Sequence, residues 1–240
     1  MAASRFRAFL VLLGASVIGM GGPAMATERP VVLELFTSEG CSSCPPADAL
    51  LGQLSTQPGV LALAYHVDYW NYLGWADPFS SSDHTNRQRG YARAMGLRSV
   101  YTPQLVVDGT RDLVGSDEGA VRAAIAKPRD GIPITASLES GSMEVSIGAA
   151  ANAGSAEVTA VSYRSRAETK VARGENSGRS LTEYSIVRSS HPLGRWNGAQ
   201  ASYKLALNDI PADADHVAIL MQQPGQGAIL GATVMAVRSK

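Results

Sequence analysis

The sequence predicts an α/β domain over residues 27–128 followed by an all-β, sandwich-like domain over residues 133–240. Three observations carry that reading. Buried-strand and helix patterns alternate as far as about residue 127. The stretch Lys127-Pro128-Arg129-Asp130-Gly131-Ile132-Pro133 has the composition of a linker. Beyond it, short apolar runs recur between Gly, Asn, Ser and Pro without a helical period. A chain of 240 residues can build one or two cores, and 45% hydrophobic with 18% charged residues excludes the disordered and fibrous classes. With 21 basic against 21 acidic residues there is no basic surplus, so no nucleic-acid partner is expected.

Residues 1–26 read as a secretory leader. Arg5 and Arg7 open it, an apolar run covers 9–19, and Ala24-Met25-Ala26 offers a small-x-small cleavage site before Thr27. The run is shorter than the ~20 residues a bilayer-spanning helix needs. A periplasmic or secreted location follows, with no membrane association after cleavage. That compartment is oxidising.

Each element has a local reason. Val31-Val32-Leu33-Glu34-Leu35-Phe36 is a near-continuous apolar run, the mark of a buried strand. Residues 47–55 put Ala49, Leu50, Leu51 and Leu54 on one helical face, and 60–67 form a second buried strand. Residues 81–96 read as a polar helix bearing Arg87, Arg89, Tyr91 and Arg93, closed by Gly96. A third strand at 105–107 turns through Asp108-Gly109 into 112–114. Ser116 reads as an N-cap, with Asp117 and Glu118 in a first turn that favours acids, for a helix to about 126. In the second part the candidate strands are 134–138, 143–147, 156–163, 181–187, 201–207, 216–221 and 229–237.

The reactive chemistry concentrates at Cys41-Ser42-Ser43-Cys44, between a buried strand and a helix. Pairs spaced this way exchange disulfides: one thiol attacks and the other resolves the mixed disulfide. Cys41 is expected to be the exposed nucleophile and Cys44 the resolver. Pro45 and Pro46 fit the first helical positions, which leaves both cysteines on the preceding turn. Thr102-Pro103, immediately before a buried strand, is read as a cis proline flanking a docking groove. Trp70 and Trp75 are candidates for an aromatic wall of that groove, and His66 or Asp68 for a proton relay to Cys44.

This constellation resembles the thioredoxin fold over roughly residues 30–127. More narrowly, Glu34 to Asp48, His66 to Phe79 and Tyr101-Thr102-Pro103-Gln104 resemble domain-of-unknown-function family 1223, a group of secreted bacterial thioredoxin-like proteins. Gly174-Glu175-Asn176-Ser177-Gly178-Arg179 extends the likeness into the second half. The resemblance implies the fold and the redox pair, and supplies no substrate.

The expected activity is thiol–disulfide exchange through Cys41 and Cys44, without a cofactor, acting on an exported protein or on a small thiol or disulfide. Two alternatives stand beside it. One is a carrier of copper or another soft metal using Cys41, Cys44 and His66, since thiolates suit Cu(I). The other is a non-catalytic binding protein on the same fold. As a mere staple, a bridge across so short a loop would constrain the unfolded chain little.

Overall fold

The structure, a computed structural model, describes Met1 and residues 27–127 and 129–238. Apart from Met1, the expected leader lies outside the described residues. In chain order the elements are β1 (Thr27–Glu28), β2 (Val31–Thr37), α1 (Pro45–Leu54), β3 (Val60–His66), α2 (Ser82–Ala94), β4 (Gln104–Val107), β5 (Arg111–Val114), α3 (Glu118–Ile125) and β6 (Asp130–Gly131). The second half adds β7 (Ile134–Glu139), β8 (Ser142–Ile147), β9 (Ala156–Lys170), β10 (Ser180–Trp196), β11 (Ala201–Ala206), β12 (His216–Gln222) and β13 (Ile229–Ala236).

Helix starts follow the local chemistry. α1 opens on Pro45 and Pro46, whose missing N–H groups cost nothing in a first turn, with Cys44 at the N-cap. Ser81 caps α2 by accepting from the Asp83 amide. Asp117, one residue beyond the expected Ser116, caps α3 by accepting from the Ala120 amide.

The fold class expected from the sequence is not the one the chain forms. Among the described residues there are thirteen strands and three α-helices, and eight of the strands make one mixed sheet in the order β13-β12-β9-β10-β3-β2-β4-β5. β10, from the second half, runs parallel to β3 with Ile186 opposite Ala64. One apolar cluster crosses that junction, joining Phe36, Leu63, Tyr65 and Tyr91 to Val161, Val187, Ala218 and Leu220. A thioredoxin-like α/β domain followed by a separate all-β sandwich is therefore replaced by a single continuous sheet. The physical reason lies at β3, which is buried from Leu61 to His66. In a separate domain its outer side would be a row of unpaired backbone groups. β10 covers that side.

A smaller sheet, β11-β8-β7, stacks on the far end through Met143, Val145 and Ile147 against Val158, Ala160, Val217, Ile219 and Met221. β9 and β10 run 15 and 17 residues, well past the apolar runs that announced them. The extension of β9 beyond Tyr163 and the opening of β10 form a ribbon alongside α1. There Gly52 meets Tyr184 so closely that an added Cβ would lie 2.5 Å from the ring.

A polar bridge also ties the halves together. Arg87 of α2 donates to the buried Glu34 of β2 at 2.7 Å and to Gln222 of β12 at 3.0 Å. Tyr91 donates to the same Glu34 carboxylate.

Candidate functional site

The turn after β2 carries the two cysteines. The Cys41 amide donates to the Ser38 carbonyl and the Cys44 amide to the Cys41 carbonyl, and this folds the four residues into the mouth of α1. The sulfurs are joined in a disulfide with Cα atoms 5.5 Å apart. Ser42 and Ser43 face solvent, but Cys41 and Cys44 are each 0% exposed. The expectation of an exposed Cys41 is thus overturned. Its Sγ lies 3.3 Å from the Ser43 hydroxyl, and two distant segments hold the backbone of the turn.

The first segment on the turn is 68–79. Gly40 sits so tightly against Trp70 that a Cβ there would lie 3.0 Å from the Trp70 Cβ. Trp70 donates through Nε1 to the Thr102 hydroxyl at 2.8 Å, and Trp75 donates through Nε1 to the Glu39 carboxylate at 2.8 Å. The Thr102-Pro103 peptide is cis. Pro103 lies beside the first turn of α1, since both Pro103 and Ala47 press on Gly115. Trp70, Trp75, Thr102 and Pro103 therefore gather around the residues that flank the disulfide.

The second segment on the turn is the loop joining β9 to β10. Asn176, 0% exposed, donates through Nδ2 to the carbonyls of both Glu39 and Cys41, each at 2.9 Å. Arg179 donates to the Asn176 Oδ1 at 2.8 Å. The Glu175 carboxylate accepts from the Ser42 amide at 3.1 Å. The sequence offered one signal for these residues, the Gly174-to-Arg179 motif, without a role for any of its side chains.

Behind the turn lies a buried titratable cluster. His66, at the end of β3, has Nδ1 2.7 Å from the Asp77 carboxylate and Nε2 3.9 Å from that of Glu183 on β10. Thr37 donates to Asp48, one turn after Cys44 in α1, at 2.7 Å. Asp77 also accepts from the Glu39 amide at 2.9 Å.

Burial disfavours charge on His66, but Asp77 and the other carboxylates outweigh it and lift the imidazole to about 10. Burial and then the charge of Asp48 push Glu183 up to about 8. Burial pushes Asp48 up to about 6. Glu39 is raised by burial and by Asp77. Burial works against ionised Asp77, yet the His66 cation holds its carboxyl below the usual range.

Of the two relay candidates, His66 belongs to this cluster. Asp68 instead accepts from Thr85 of α2 at 2.6 Å. Asp77, Glu183, Asp48 and Glu39 were missed because an isolated acidic letter reads as surface. Among the described residues, no group of three or more His, Cys, Asp and Glu side chains is placed to hold a metal ion. His66 is engaged by carboxylates, and the two sulfurs are bonded to each other. Also among the described residues, no helix is long and apolar enough to cross a membrane.

Fold and site together define a β-rich protein in which one mixed sheet presents a CxxC disulfide at a strand–helix turn, backed by buried acids and an imidazole. The chain belongs to the family described as protein of unknown function DUF1223, which it matches over residues 32–222. A crystal structure of a protein from Agrobacterium tumefaciens, solved in a structural genomics programme, is 30% identical, with a TM-score of 0.77. That match covers 90% of this chain and 98% of the other. HBP35 of Porphyromonas gingivalis is similar in fold, at 14% identity and a TM-score of 0.59, covering 87% of this chain and 75% of that one. No curated protein matches.

Proposed function

We propose that the protein exchanges disulfides with an exported protein or a small thiol through Cys41 and Cys44. The observation that carries this is the bonded pair at the mouth of α1. A bridge spanning so few residues adds little as a staple. A partner thiolate attacks one sulfur, the Cys41–Cys44 bond breaks, and the other sulfur leaves as a thiolate that takes a proton. The partner's second thiol then attacks the mixed disulfide, forms the partner's own disulfide and frees the remaining cysteine. Two electrons pass to the protein, and two protons follow as the thiols form. Run backwards, Cys41 attacks a partner disulfide and Cys44 resolves it.

Trp70, Trp75, Thr102 and Pro103 would shape the partner's seat. His66 and Asp48 would serve as the nearby proton store for Cys44. A periplasmic or secreted location fits a disulfide that persists. Exchange with a dithiol or disulfide substrate tests this reading. The wild type should turn over, Cys41→Ser should be inert, and Cys44→Ser should accumulate a mixed disulfide; a Cys41→Ser variant as active as wild type would refute it.

A second reading rests on the burial of both sulfurs. It takes the bridge as a structural clasp of the turn, with the exchange chemistry unused.

A further inference from the structure

The loop between β9 and β10, residues 171–179, takes up backbone groups that an incoming chain would need at the CxxC turn. Asn176 has one amide group, and its two hydrogens go to two carbonyls, those of Glu39 and Cys41. Glu175 takes the amide of Ser42, the first residue between the cysteines. The ribbon of β9 and β10 delivers the loop there, anchored by the Gly178 amide on the Val171 carbonyl.

The loop is mostly exposed. Arg173, Glu175, Ser177, Gly178 and Arg179 are exposed, so apart from Val171 and Asn176 it contributes little to the core. Gly174 and Gly178 bracket it with φ of +77° and +81°, a backbone region open to glycine at little cost. Its hold on the turn is therefore a few hydrogen bonds, with Gly174 resting on Trp75 at a would-be Cβ distance of 3.4 Å.

We propose that Asn176 and Glu175 form a latch that shuts the Cys41–Cys44 disulfide, and that lifting this loop is the step that admits a thiol. Asn176 is a positioning residue: with the latch closed it fixes the carbonyls on either side of Gly40 and seals the sulfurs. The proposal rests on the exchange reading for its biological use, but the accessibility it describes is measurable without any partner.

The test is reduction of the oxidised full-length protein by excess dithiothreitol, which forms its own cyclic disulfide as Cys41 and Cys44 become thiols. Alkylation and mass measurement count the freed cysteines. For the wild type the rate should level off at high dithiothreitol, because loop opening limits it. Asn176→Ala, which loses two hydrogen bonds, should raise the plateau tenfold or more, and Glu175→Gln, with a weakened contact on an exposed residue, roughly threefold. Glu175→Gln leaves the core untouched, so it decides the matter if Asn176→Ala folds poorly. A wild-type rate that climbs linearly with dithiothreitol, together with unchanged rates in Glu175→Gln, overturns the latch. A latch that behaves as described in a protein that exchanges with no partner overturns the exchange reading alone.

Discussion

His66 Nδ1 lies 2.7 Å from Asp77 Oδ2, and neither side chain has any exposed surface. A pair this deeply buried is held by its partners rather than by water, and its neighbours Glu183 and Asp48 are carried into the same apolar setting. The folded protein therefore keeps protons that the unfolded chain would release.

The pH dependence follows from the signs. Glu183 is raised from 4.5 to about 8, Asp48 from 3.8 to about 6 and His66 from 6.5 to about 10. All three bind protons more tightly when folded, so each contributes stability that is present at low pH and lost as pH rises through its window. Asp77, being lowered, acts the other way and loses its contribution only as pH falls below the ordinary carboxylate range. Thermal unfolding across pH should show stability declining from about pH 5 to about pH 10. Glu183→Gln, permanently neutral, should gain on the wild type as the pH rises from 5 to 9. Parallel curves for the two proteins would contradict the assignment.

The contact of α1 with β10 predicts a sharp steric effect. A methyl at Gly52 would meet the Tyr184 ring at 2.5 Å, so the ring or the backbone must shift. Gly52→Ala should cost roughly 1–3 kcal/mol despite its better helix propensity, and Gly52→Ala with Tyr184→Ala should recover part of that loss. Chemical denaturation of the two variants measures both.

Arg87 pairs with Glu34 within the first half and hydrogen-bonds across to the second. Its guanidinium meets the fully buried Glu34 and reaches Gln222. Arg87→Ala would strand the carboxylate and should cost about 3–5 kcal/mol, whereas Arg87→Met with Glu34→Leu should cost far less because no buried charge is left alone. Equilibrium unfolding compares them.

How much of this was legible in the sequence depends on the distance over which the cause acts. The first strands and the starts of α1 and α3 were readable, because apolar runs, prolines and acidic first turns are local signals. The cis peptide at Thr102-Pro103 was also expected from its place before a strand. The continuous sheet was not, because the junction of β10 with β3 is written in a single facing pair, Ile186 and Ala64, over a hundred residues apart. The polar residues from Arg164 to Lys170 hid the length of β9, since they serve a ribbon that lies on α1 rather than a two-sided core. The hold of Asn176 on the turn was equally hidden, because it arrives 135 residues after Cys41.

The reduction potential of the Cys41–Cys44 pair tests the central proposal most directly. The protein is equilibrated against graded thiol–disulfide buffers, and the reduced fraction is read by alkylation. An exchanging pair should titrate reversibly as one two-electron couple with a midpoint between about −270 and −120 mV. A midpoint below about −300 mV, where structural disulfides lie, would contradict the account and leave the bridge as a clasp.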